Sequence, residues 1–128
     1  MRAVDTNVLV RLLTRDEVKQ TAAAELFIAK GAWISHVVLV ETTWVLASVY
    51  ARTALQIADA IAMLLEHEAL ALQDPDVVAL ALAQLRRRPA IGFSDCLIVE
   101  IARKAGHLPL GSFDRTLGRV DGAQLLKS

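Results

Sequence analysis

The chain has 128 residues, its 14 Lys and Arg balanced by 14 Asp and Glu, and it is 55% hydrophobic but only 5% aromatic. That length suits a single domain over residues 1–128 with an aliphatic core, and the zero net charge excludes a histone-like binder that grips nucleic acid through a broadly basic face. The one cysteine, Cys96, excludes an intrachain disulfide and suits a small core residue in a reducing compartment.

Asp5 interrupts the N-terminal apolar stretch before a signal-peptide core can form. The longest uncharged apolar run, Val77 to Ala83, is too short to span a bilayer. The expectation is a soluble, cytoplasmic protein with no membrane partner.

Met1 to Val4 reads as a first strand, cut by Asp5-Thr6-Asn7, polar residues able to cap a helix over Val8 to Leu13. A second helix is predicted from Asp16-Glu17 to Lys30, with Gly31 at its end. Ala32-Trp33-Ile34 is a second strand, and Ser35 opens a helix to about Ala51. Thr53-Ala54-Leu55-Gln56 has the capping-box pattern and opens a helix to about His67. Ala69 to Leu72 is a third strand. Asp74-Pro75 places a cap and then proline at a first helical position, for a helix ending at Arg86-Arg87-Arg88. Ser94 is expected to cap the next helix, which stops at Gly106. Leu108 to Phe113 is a fourth strand, and Gln124 to Leu126 a possible fifth at an edge.

Strands alternating with helices imply an α/β fold: a short, mostly parallel sheet of four to five strands covered by helices. Sites in such sheets form beyond the carboxyl ends of the strands. Asp5 and Asp114 stand at such ends, and Asp95 at a helix start able to open onto the same rim.

Four acids stand inside apolar stretches. Asp5 lies between Ala3-Val4 and Val8-Leu9-Val10, and Glu41 follows Val37-Val38-Leu39-Val40. Asp95 precedes Cys96-Leu97-Ile98-Val99, and Asp114 ends Leu108 to Phe113. Glu41 shares a helical stripe with Val37, Val40, Trp44, Val45 and Ser48, which the pattern marks as the packed face. Singly, three of them have ordinary explanations: Asp5 as a helix cap, Asp95 as a favourable charge at a helix start, Asp114 as a turn former.

As a set they call for a partner. Two carboxylates about 4 Å apart repel by roughly 4 kcal/mol at an effective dielectric near 20. A hard divalent cation removes the conflict, and oxygen-only ligands select Mg2+ or Mn2+ over zinc. His36, His67, His107 and Cys96 lack paired metal spacing. A carboxylate site of this kind acts on phosphates. Neither a phosphate-binding GxxxxGK[ST] loop nor a Gly-x-Ser-x-Gly elbow is present, so phosphodiester hydrolysis is the natural reading.

The segments Asp5-Thr6-Asn7-Val8-Leu9-Val10-Arg11, Glu41 with Trp44-Val45-Leu46, Ser94-Asp95-Cys96-Leu97-Ile98, and Ser112-Phe113-Asp114-Arg115 closely resemble the PIN-domain ribonucleases. The likeness is nearest to the toxin half of VapBC-type toxin–antitoxin pairs, and it covers essentially the whole chain in order. The resemblance implies a three-layer PIN-like fold. It also implies an endoribonuclease using Mg2+ or Mn2+ that leaves a 3′-hydroxyl and a 5′-phosphate. It carries Asp5, Glu41, Asp95 and Asp114 over as metal-binding and catalytic acids, with Thr6, Asn7 and Ser112 orienting them from behind. It further implies a homodimer and a cognate VapB-type antitoxin whose C-terminal segment covers the acids. Ser112 stands where the family often has Thr, Ser94 and Cys96 where it often has Ala. No acid after Asp114 stands out as a fifth member of the set, which leaves occupancy by a second metal open.

Arg11, Arg15 and Arg115 lie beside the acidic motifs and are candidates for RNA contacts, with surface solubility an equal alternative. The run Arg86-Arg87-Arg88 complements a helix end better than it grips RNA. Val8, Leu9, Leu12 and Leu13, with the apolar helices around Val45 and from Ile57 to Leu65, could form a groove for a partner helix. Two other classes compete. An aspartyl-phosphate phosphatase needs a second Asp where Asn7 stands. A non-catalytic PIN-like module, binding RNA or protein without cutting, would be expected to have lost acids from the set. A housekeeping nuclease without an antitoxin remains a variant of the first reading.

Overall fold

Side-chain oxygens start four of the helices. Asp5 precedes α1 (Thr6–Thr14) and accepts from the Thr6 amide, and Glu17 precedes α2 (Val18–Ile28) and accepts from the Lys19 and Gln20 amides. Ser35 caps α3 (His36–Ser48) through Val38, while Thr53 and Gln56 form a reciprocal capping box at the head of α4 (Ala54–Glu66). Each satisfies an amide that the helix itself cannot pair.

The computed structural model describes residues 1–128, which divide into two units, Met1–Pro75 and Asp76–Ser128. In the first unit, β1 (Arg2–Ala3), β2 (Ala32–Ile34) and β3 (Leu70–Leu72) form a parallel sheet in the order β1-β2-β3. Arg2 stands opposite Ala32, and Ala32 opposite Leu70. Two helices fill each crossover, as parallel neighbours require. Helix α1 packs against α2 and α3, and α4 against α3 and β3. Leu9, Ile34, Leu39 and Ile61 are fully buried there.

The second unit holds α5 (Pro75–Arg87, its Pro75 the last residue of the first unit), α6 (Phe93–Ala105), β4 (Leu110–Ser112) and β5 (Ala123–Leu125). Strands β4 and β5 pair in parallel, Leu110 opposite Ala123. Val78, Leu85, Cys96, Leu97 and Val99 are the largest of its fully buried side chains. Arg86 and Arg87 occupy the last turn of α5, and Arg88 donates to the Arg119 carbonyl at 3.1 Å, so the basic run serves local structure. No helix is long and apolar enough to cross a membrane.

Three expectations change. The strands form a three-stranded and a two-stranded sheet, not one sheet of four to five. Strands of two or three residues make too few ladder bonds for their pairing to be written in sequence pattern. Helix α6 begins at Phe93 rather than after Ser94. Gly92, at φ +83°, turns the chain straight into the helix, no side chain caps it, and Asp95 falls in its first turn.

The third concerns α3. Its buried face is Leu39, Thr42, Thr43 and Leu46, while Val37 and Trp44 are each 67% exposed and Glu41 is exposed with them. Thr42 and Thr43 return their hydroxyls to the Val38 and Val40 carbonyls at 2.7 and 2.8 Å, so they can be buried without an unpaired polar group. Glu41 lies on the solvent face, not the packed one.

Candidate metal and nucleic-acid site

Asp5 leaves the carboxyl end of β1, and its Oδ1 accepts from the Thr6 amide at 2.7 Å. Thr6 in turn donates its hydroxyl to Glu41 Oε2 at 3.0 Å. One residue thus ties the acid after the first strand to the acid on α3. The neighbouring strand ends are also fastened. The His36 amide donates to Gln73 Oε1 at 2.9 Å, and His36 Nε2 lies 2.7 Å from the Gln73 carbonyl oxygen. Asp5 and Glu41 are both exposed, so neither carries the desolvation that the apolar sequence around it suggests.

In the second unit, Asp95 lies half-buried in the first turn of α6, where the helix dipole favours a negative charge. Burial, and after it the charge of Asp114, still hold its carboxyl above the ordinary value. Asp114 follows β4. Its Oδ1 accepts from the Leu117 amide at 2.9 Å, and its own amide donates to Ser112 Oγ at 3.0 Å. Asp114 therefore both shapes a turn and carries charge towards Asp95.

The four predicted acids thus fall into two pairs, Asp5 with Glu41 through Thr6, and Asp95 with Asp114 through mutual repulsion. Nowhere do three or more His, Cys, Asp or Glu side chains gather into a group able to hold a metal ion. The chemistry of the donors nonetheless fits a hard cation. All are carboxylate or hydroxyl oxygens, and no cationic side chain contributes to the Asp95 shift that Asp114 raises.

Asn7, expected to support the acids, is exposed and lines a surface recess with Phe27. Arg11 commits its guanidinium internally: Nε donates to Gln20 Oε1 at 2.6 Å, and Nη1 to Asp16 Oδ1 and the Tyr50 hydroxyl, each at 3.2 Å. The Tyr50 bond raises the Arg11 pKa, and the bonds Asp16 accepts from Thr14 and Tyr50 lower that of Asp16. Arg15 pairs with Glu25. Arg115 is exposed next to Asp114.

Glu100 is not among the acids that the sequence pattern singles out, yet it is the most buried acid at 4% exposure. It holds Arg103 Nε at 3.2 Å, and Arg103 donates to the Asp121 carbonyl at 2.7 Å, fastening the approach to β5. An acid three residues before an arginine, on the same stripe as Cys96, is the signal the sequence offers for it. Cys96 is fully buried, and burial, with the nearby charges of Asp95 and Glu100, pushes its thiol up to about 11. It is a packing residue rather than a nucleophile.

A family model described as the PIN domain matches residues 2–123. No curated protein and no solved structure matches the chain.

Proposed function

As the chain belongs to the PIN domain family, we propose that it is a Mg2+- or Mn2+-dependent endoribonuclease, the toxin of a type II, VapBC-like toxin–antitoxin pair. PIN domains are generally nucleases, usually metal-dependent, and this supports hydrolysis of a phosphodiester. The observation that carries the reading is the extent of the family match: residues 2–123 take in all four acids. The match also runs across both units, which favours one working PIN domain over two separate modules.

In this reading Asp5, Glu41, Asp95 and Asp114 hold the cation. When bound, it supplies positive charge beside the phosphate and lowers the pKa of water. Thr6 fixes the Glu41 carboxylate by its Oε2, leaving Oε1 to accept a proton or orient the nucleophile. Ser112 holds the Asp114 backbone in place. Arg115 is the arginine best placed to meet an RNA phosphate, since Arg11 and Arg15 already have acidic partners.

An antitoxin helix would find apolar lining in the recess formed by Leu12, Leu13, Ile28, Met63, Leu64 and Leu70, about 310 Å3 in volume. Leu9, at 0% exposure, is core and not part of such a groove. The exposed Val37 and Trp44, which flank Glu41, favour a further contact for the antitoxin segment that covers the acids, and a homodimer completes the proposed assembly.

The test is incubation of the purified chain with cellular RNA and Mn2+, followed by mapping of new 5′ ends. Cuts bearing 5′-phosphates, abolished by EDTA and by Asp5→Asn, are expected. Equal cutting by Asp5→Asn would refute the assignment. Growth arrest on expression, relieved by the product of a short adjacent reading frame, separates toxin from housekeeping nuclease.

A further inference from the structure

A recess on the first unit has a lining suited to one nucleobase. Asn7, next in sequence to Thr6, forms part of its wall, together with Arg11 and Gln20. Val8, Ala23 and Phe27 supply apolar surface. Its volume, about 360 Å3, lies at the low end of the roughly 300–1,000 Å3 typical of small-molecule clefts. That is room for one planar heterocycle. Arg2 lies over the Phe27 ring, 3.8 Å from its centroid, and donates to the Phe27 carbonyl at 3.1 Å. The ring is therefore held still and a cation stands near it.

The orientation of Gln20 is chemically determined. Its side chain meets Arg11 Nε at 2.6 Å, and a guanidinium can only donate. The Gln20 oxygen must face Arg11, so its NH2 group is turned away and is free to donate to a ligand. Arg11 is itself held by Asp16 and Tyr50, which keeps this arrangement fixed. The polar wall thus offers donors from Gln20, with Asn7 able to adapt either way.

We infer that this recess is a base-reading subsite for the RNA substrate, selecting keto bases, guanine or uracil, over adenine and cytosine. Guanine presents O6 and N7 and uracil presents O4 as acceptors, whereas adenine and cytosine present an amino group at the corresponding place. An amino group meeting the Gln20 NH2 sets two donors against each other, and the hydrogen bond that a keto oxygen accepts is not made. The inference rests on the ribonuclease reading for its substrate, but its binding test does not require cleavage.

The full chain, free of divalent metal, is titrated with GMP, UMP, AMP, CMP and inorganic phosphate while the side-chain amide signals of Asn7 and Gln20 are followed by NMR. GMP and UMP are expected to shift both, with affinity at least about five-fold above AMP and CMP. Gln20→Glu keeps an oxygen for Arg11 but removes the donors, and it should abolish that preference while preserving the fold. Equal response to all four nucleotides, equal response to phosphate alone, or no response would each overturn the inference. In the cleavage arm, wild type should favour G or U at a fixed position near the cut, and Gln20→Glu should lose that bias. Cutting by wild type with a bias unchanged in Gln20→Glu would sink the subsite alone. Failure of wild type to cut would sink the nuclease reading, with the titration still deciding the recess.

Discussion

Thr6 is the residue on which the first acid pair depends. Its amide and its hydroxyl serve two different carboxylates, at 2.7 and 3.0 Å. Thr6→Val keeps the shape and removes only the hydroxyl. It is expected to lower Mn2+ affinity or RNA cleavage by about 10–100-fold, with Thr6→Ser retaining most of both; calorimetric titration and initial rates are the measurements. Asp114 separates its two roles differently. Asn at 114 keeps an oxygen for the Leu117 amide and loses the charge, so Asp114→Asn should fold normally by circular dichroism yet lose metal binding. Removing charge at Asp95 acts in the opposite sense on stability. Its carboxyl sits above its ordinary value, so ionisation costs the folded state more than the unfolded one. Asp95→Asn should therefore raise the metal-free melting point at pH 7, and added Mn2+ should raise that of wild type alone. A lower melting point for Asp95→Asn would contradict the cost that burial, and after it the Asp114 charge, puts on ionised Asp95.

At the scale of elements, the caps are legible in the residues alone. Ser35 and the Thr53–Gln56 box stand where the sequence places them, because capping is settled between near neighbours along the chain. Thr53→Ala should cost about 1 kcal/mol, readable as a lower denaturant midpoint. The link from α1 and α2 to Tyr50 is not legible, since Asp16 and Tyr50 are 34 positions apart. The bonds that Asp16 accepts from Thr14 and Tyr50 depress its pKa. Their stabilisation is complete above the unfolded value of 3.8 and is lost as pH falls through the lower folded value. Asp16→Asn should melt lower than wild type at pH 7, with the difference closing in acid. The buried face of α3 departs from the sequence pattern for a definite reason. The helix is apolar nearly all round, and threonines that bond their own backbone count as polar in a pattern but as core in a fold.

For the whole molecule, the order of strands and helices is visible in the alternation of apolar runs, but the division into sheets is not. Elements as short as Arg2–Ala3 or Ala123–Leu125 carry no pattern that names their neighbour. The acids stand out because carboxylates interrupting apolar runs are rare, whereas their exposure cannot be read from those runs. The two units raise a question of cooperativity. If the chain works as one domain, scanning calorimetry should record a single transition whose calorimetric and van't Hoff enthalpies agree. Two resolved transitions would assign independent stability to each unit.

Trp44 and Val37 lie one turn to either side of Glu41, and both are bare. Water gains by leaving such surface, so whatever settles there is drawn by grease and lands on a charge. Shielding the indole and smothering the carboxylate would then be one event. If the chain is the toxin proposed above, the grease beside its acid is the adhesive for its own stopper.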